Sequence, residues 1–143
     1  MQVKRQRRRG GFTLIEVLLV LVILVIMASF AGFFVLGAQK RALQDATRTQ
    51  IGTFKTAIES YMVDVRKYPS SNDGLNALIA APTDLANPTR WRGPYLEGVE
   101  IPLDPWDSPY NYQLEGTQYV IWSNGEDGVS GTEDDIRSNA LQN

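Results

Sequence analysis

Residues 11–36 read GFTLIEVLLVLVILVIMASFAGFFVL. The run is almost wholly apolar, and its only charge is Glu16. From Phe12 to Leu36 it counts 25 residues. A helix rises ~1.5 Å per residue, so roughly 20 residues cross a hydrocarbon core of ~30 Å. Length and hydropathy together predict a membrane helix with a carboxylate near its start. A charge in lipid costs roughly 2 to 3 kcal/mol or more, so this carboxylate wants a partner.

Toward the N-terminus, Lys4, Arg5, Arg7, Arg8 and Arg9 make five of the fourteen basic residues, and the leader ends in Gly10-Gly11. A basic run against an apolar span follows the positive-inside rule. It predicts a cytoplasmic N-terminus and a remainder on the far side of the membrane. The same reading disfavours nucleic acid as the partner of the patch. The apolar run is too long for a cleaved secretory signal, and Ala28-Ser29 is a weak cleavage site. Without residues 1–11 the chain carries nine Lys/Arg against sixteen Asp/Glu, a net of −7.

The 143 residues contain no Cys and no His. Disulfides, Cys-zinc sites, and Ser-His-Asp or Cys-His nucleophiles are thereby excluded within the chain. About a hundred residues beyond the apolar run suffice for one modest core.

Toward the C-terminus, residues 39–66 hold no Pro and a single Gly, Gly52. Leu43, Ile51, Phe54, Ile58, Tyr61, Met62 and Val65 recur at three- and four-residue spacing, the pattern of an amphipathic helix. One helix from about Thr13 to about Val65 is predicted, roughly 80 Å long. Tyr68-Pro69 ends it. A second, short helix is predicted over Ser70–Ala81, with Ser71-Asn72-Asp73 as N-cap candidates and Pro82 as its stop. Thr83–Ile101 reads as loop, pinned by Trp91, Tyr95 and Leu96, and Pro102–Pro109, with three prolines, as a turn-rich connection. Tyr110–Glu115 and Gln118–Ser123 are strand candidates, and Gly116-Thr117 between them is a two-residue hairpin signal. A third strand is expected near Val99–Ile101 or after Asp135. The fold class is then α+β, a long N-terminal helix packed on a small antiparallel sheet.

Asn124 to Ile136 reads NGEDGVSGTEDDI, with five acids among glycines. Hard cations such as Ca²⁺ take carboxylate and carbonyl oxygens from flexible loops. The spacing is not that of an EF-hand, so the residues alone leave a solvated acidic loop and a calcium loop both open.

Gly11-Phe12-Thr13-Leu14-Ile15-Glu16 after a basic leader resembles the class III leader of type IV pilins and of type II secretion pseudopilins. The resemblance implies cleavage after Gly11 by a prepilin peptidase, leaving residues 1–11 as a removed leader, and N-methylation of Phe12. It also implies that Glu16 pairs with the Phe12 amine of a neighbouring subunit during assembly. The three regions are then leader 1–11, membrane and filament-core helix 12–36, and a periplasmic domain 37–143.

The segment from Ser123 through Asp134-Asp135-Ile136 resembles the calcium loop of the major, G-type pseudopilins. That likeness implies Ca²⁺ held by Asp127, Asp134 and Asp135, with backbone carbonyls near Asn124, Val129 and Thr132. Tyr68-Pro69 through Leu78, Trp91 through Leu96, and Asp104-Pro105-Trp106 through Tyr112 are similar to three further segments of that family. Two positions depart from it. Phe33 stands where members usually have Pro, and Asp107 stands where they usually have Gly after Trp106.

The resemblance implies a pilin-like fold and a structural, non-enzymatic subunit of an inner-membrane and periplasmic pseudopilus. Its partners would be copies of itself, minor pseudopilins, the prepilin peptidase and the inner-membrane secretion platform. A surface type IV or competence pilin is the first alternative, disfavoured by the missing Cys pair. A membrane-anchored hydrolase using Asp104, Asp127, Asp134 and Asp135 is the second, disfavoured because the acids crowd one loop.

Overall fold

The computed structural model describes residues 11–138, apart from the side chains of residues 30–34. Most of the leader and the last five residues lie outside that range. Helix α1 runs Leu14–Val65 in 52 residues, with a boundary between two compact units at Lys40 and Arg41. The amides of Glu16 and Val17 donate to the Thr13 carbonyl at 3.1 and 3.3 Å, so the chain turns helical at once after the leader.

In the first unit the described apolar side chains are exposed. Phe12 is 82% and Ile15 73% exposed. Among the described residues no helix is long and apolar enough to cross a membrane. Residues 30–34 fall inside the predicted span and outside that count, so the expectation of a span at 12–36 rests on the sequence.

The second unit holds the core. Ile51, Phe54, Ile58, Tyr61 and Val65 are buried on one face of α1, as the periodicity predicts. Leu43 and Met62 are only half-buried, and Thr47 completes the stripe instead. Its hydroxyl donates to the Leu43 carbonyl at 2.9 Å, so burial leaves it satisfied. Strands β1 (Asn111–Glu115), β2 (Gln118–Ser123) and β3 (Ile136–Arg137) form an antiparallel sheet in that order. Glu115 pairs with Gln118 across the Gly116-Thr117 turn, and Gly116 takes φ +63°, the conformation such a turn needs. Tyr110 and Ile121 bring the sheet side of the core against α1, with Phe54 and Tyr110 edge to face at 5.0 Å.

One expectation changes, and one left open between two places is decided. The short helix over 70–81 is a 3₁₀ turn, Gly74–Leu78. Gly74 has φ +55°, which no continuing α-helix allows, and no side chain caps the turn from Asp73. The Asp73 carboxylate instead takes the Ser70 hydroxyl, and the Ser70 oxygen accepts the Asp73 amide at 3.2 Å. The third strand forms after Asp135, not at Val99–Ile101, because residues 99–101 have no strand partner and β2 pairs with Ile136 and Arg137. Loop 83–101 is pinned as expected. Trp91 Nε1 donates to the Ala77 carbonyl at 2.9 Å, and the Tyr95 amide to the Leu78 carbonyl at 2.7 Å.

Asp107 sits in the turn after Trp106 at φ +60°. Left-handed backbone costs an L-residue roughly 1 to 2 kcal/mol, less for Asp, while Gly adds entropy to the unfolded chain. Asp107→Gly is expected to stabilise by about 0.5 kcal/mol, read as a melting temperature a few degrees higher. A lower melting temperature would show that the Asp107 side chain stabilises the turn by more than the strain costs.

Candidate functional site

The acidic loop hangs from the edge of the sheet between β2 and β3. Its root is a buried polar knot. Asp104, 4% exposed, accepts the amides of Trp106 and Ser108 on Oδ1 at 3.0 and 2.8 Å. Its Oδ2 takes the hydroxyl of Ser123, the last residue of β2, and the Ser123 oxygen in turn accepts the Gly125 amide at 3.1 Å. One carboxylate thus ties the Pro105-Trp106 turn, the central strand and the start of the loop together. Burial, with the Asp104 charge beside it, pushes the Tyr110 phenol up to about 12. Asp104 is wholly engaged in structure, which leaves the hydrolase reading without one of its buried acids.

Within the loop, Gly125 has φ +68°, and a Cβ there would come 2.5 Å from both the carbonyl and the carboxylate of Asp134. Only Gly lets the two limbs approach this closely. Asp127 and Asp134 share the Thr132 hydroxyl, at 3.4 and 2.6 Å, and the Asp127 amide donates to Asp134 Oδ2 at 3.1 Å. The Thr132 hydroxyl, then the Asp127 amide, hold the Asp134 carboxyl below the usual carboxylate range. The Val129 amide closes a turn onto Asp127 Oδ1 at 2.8 Å.

Asp135 stands differently. Its side chain is 3% exposed, and Oδ2 accepts the Gly131 amide at 2.9 Å and an Arg137 nitrogen at 2.8 Å. Oδ1 is buried and has no partner. A buried carboxylate oxygen left unpaired costs about 1 to 3 kcal/mol or more, so something polar belongs against it. Sequence reasoning gave no sign of Arg137, whose guanidinium also lies 6.0 Å from the centre of the Trp122 ring. Among the described residues no group of three acidic side chains is gathered closely enough to hold a metal ion. Asp127 and Asp134 are brought together, and Asp135 is turned toward Arg137. The donor set is all oxygen, as a hard cation requires, and Asp135 Oδ1 is a buried acceptor of the kind such an ion takes.

The comparisons bear on the whole chain. Residues 34–139 match the family described as Type II secretion system (T2SS), protein G, and residues 6–32 match the prokaryotic N-terminal methylation motif. The chain belongs to the type II secretion protein G family. The core protein G of Aeromonas hydrophila is 38% identical over 92% of this chain and 93% of its own. That of Vibrio cholerae is 35% identical over 94% of both chains. The crystal structure of the major pseudopilin from the type 2 secretion system of enterohaemorrhagic Escherichia coli superposes with a TM-score of 0.66. It is 31% identical to this chain, covering 75% of it and 91% of that chain. The long helix and three-stranded sheet of this pseudopilin-family chain are therefore the pilin-like fold expected of it. The methylation motif includes Gly11, Phe12 and Glu16, and family membership favours the pseudopilin over the surface pilin and the hydrolase.

Proposed function

We propose that this chain is the structural subunit of a periplasmic pseudopilus that drives type II protein secretion. The observation that carries the reading is the joint match: a protein G domain over 34–139 behind a methylation motif over 6–32. Prepilin peptidase would cut between Gly11 and Phe12, and Phe12 would be N-methylated. Helix 12–36 would anchor the stored subunit in the inner membrane and later line the filament. Glu16, in the first turn of α1, needs a cation in that apolar setting, and the Phe12 amine of the next subunit would supply it. Contacts of this head-to-tail kind do not close, so a fibre results. Minor pseudopilins and the inner-membrane platform complete the assembly, and no catalytic step is assigned to the chain.

Calcium belongs to the same proposal. Asp127, Asp134 and Asp135, with the carbonyls of Asn124, Val129 and Thr132, would hold Ca²⁺. The bound cation would neutralise the carboxylates and satisfy Asp135 Oδ1. The chain's own residues already prepare the loop. The three glycines at positive φ (Gly125, Gly128, Gly131) set its path, and Thr132 holds Asp127 beside Asp134.

Mass spectrometry of the protein from cells with an active peptidase should show residues 1–11 gone and one methyl on Phe12. Glu16→Leu should be processed normally yet yield at most about a tenth of the filaments. An intact leader, or full filament yield from Glu16→Leu, would remove the reading.

A further inference from the structure

The chain beyond its leader is acidic, yet three arginines share one stretch of its surface. Arg66, just past the C-terminal end of α1, and Arg90 and Arg92, either side of Trp91, line one open cleft of about 590 Å³. Val63, 70% exposed, lies in the same cleft. The one carboxylate there, Asp64, receives the Tyr95 hydroxyl at 3.0 Å. Among the described residues no ion pair joins Arg66, Arg90 or Arg92 to an acid. The helix C-terminus attracts cations and so accounts for Arg66, but Arg90 and Arg92 come from a separate segment.

The chain carries a surface of the opposite kind. Loop residues 126–133 are exposed, with Glu126 and Glu133 outside the proposed calcium ligands. Val129 stands among them, 56% exposed. Among the described residues of the second unit, Val63, Val99, Leu103 and Val129 are large, apolar and well exposed, and two of them mark these two surfaces.

We propose that the Arg66–Arg90–Arg92 cleft receives the acidic loop of a second copy of this chain, with Val129 seated on Val63 and Glu133 on the guanidiniums. Planar guanidiniums pair with carboxylates in a fork, which adds orientation to charge. The two surfaces differ, so the contact is heterologous and propagates as a fibre. The inference rests on the filament reading and assigns it one specific contact.

The test uses the full-length chain in cells that assemble filaments. Because the chain has no Cys, Val63→Cys with Val129→Cys gives a clean cross-linking pair. A short bis-maleimide should convert those filaments into a ladder of covalent multimers, and neither single variant should do so. Arg90→Glu with Arg92→Glu should cut the yield of sheared filaments at least tenfold, as should Glu126→Lys with Glu133→Lys. Combining all four should restore most of the yield. Normal filaments without a ladder would overturn the contact whatever the charge variants do. So would full filament yield from either charge-reversed pair. If the unsubstituted chain forms no filaments, the filament reading falls and the contact with it. If a charge variant melts before the parent, the cross-linking pair decides.

Discussion

Asp104→Ala is expected to destabilise the folded domain by roughly 4 kcal/mol, the largest effect of any single substitution considered. Asp104 is buried and serves three donors: the amides of Trp106 and Ser108, and the Ser123 hydroxyl. Hydrogen bonds to a charged group are worth about 1.5 to 3 kcal/mol each, and donors left unpaired in the interior cost about 1 to 3 kcal/mol apiece. These quantities overlap, which is why the expected loss is below their sum. For a domain of about a hundred residues this lowers the melting temperature by roughly 15 °C or more. Asp104→Asn keeps an acceptor for the two amides and should lose about half as much. Urea or thermal melts of the soluble domain, residues 37–143, measure both. A cost below about 1 kcal/mol for the alanine variant would mean that the knot does not hold the turn to the strand.

The proposed calcium site gives the second large expected effect. A ligand that binds only the folded state stabilises by about 2.7 kcal/mol at a hundredfold excess over its dissociation constant. At about 4 to 8 °C per kcal/mol, chelation should lower the melting temperature of the same domain by roughly 10 to 20 °C. Asp135→Asn should remove most of that calcium response, because its carboxylate carries the unpaired buried oxygen. It also breaks the Arg137 pair, so the response must be read as the difference between melts with calcium and with chelator. Identical melts in the two conditions for the unsubstituted domain would refute a structural calcium site.

Much of the architecture was legible in the chain. The three- and four-residue spacing from Ile51 to Val65 placed the buried face of α1, and Gln118–Ser123 is a strand with the ends its residues suggest. Both are local patterns, in which each residue's neighbours in sequence are also its neighbours in space. The 3₁₀ turn at Gly74–Leu78 was not legible, since its apolar residues fit a helix equally well. What shortens it is the backbone at Gly74 and its anchoring, with the Tyr112 hydroxyl on the Pro69 carbonyl at 2.9 Å and the Ser71 hydroxyl accepting the Leu114 amide at 3.0 Å. The Asp-Pro-Trp run could have suggested an Asp side chain capping its own turn. Nothing in it named Ser123, nineteen positions away.

By itself the sequence determined the long helix, the hairpin, the acidic loop and the exclusion of His and Cys chemistry. Residue type and short-range spacing are enough for these. It also carried the N-terminal methylation motif that the comparisons match over residues 6–32. Only the tertiary structure decided that Asp104 is a buried knot and not a candidate catalyst. It alone turned Asp135 onto Arg137 with one oxygen unpaired, and brought Arg66 to the same cleft as Arg90 and Arg92. The Asp104 knot and the arginine cleft depend on segments far apart in the chain meeting in the fold, whereas Asp135 and Arg137 are two positions apart and only the burial of their contact is set by packing. Burial and charge balance at such meetings are properties of packing, and no local pattern of residues encodes them.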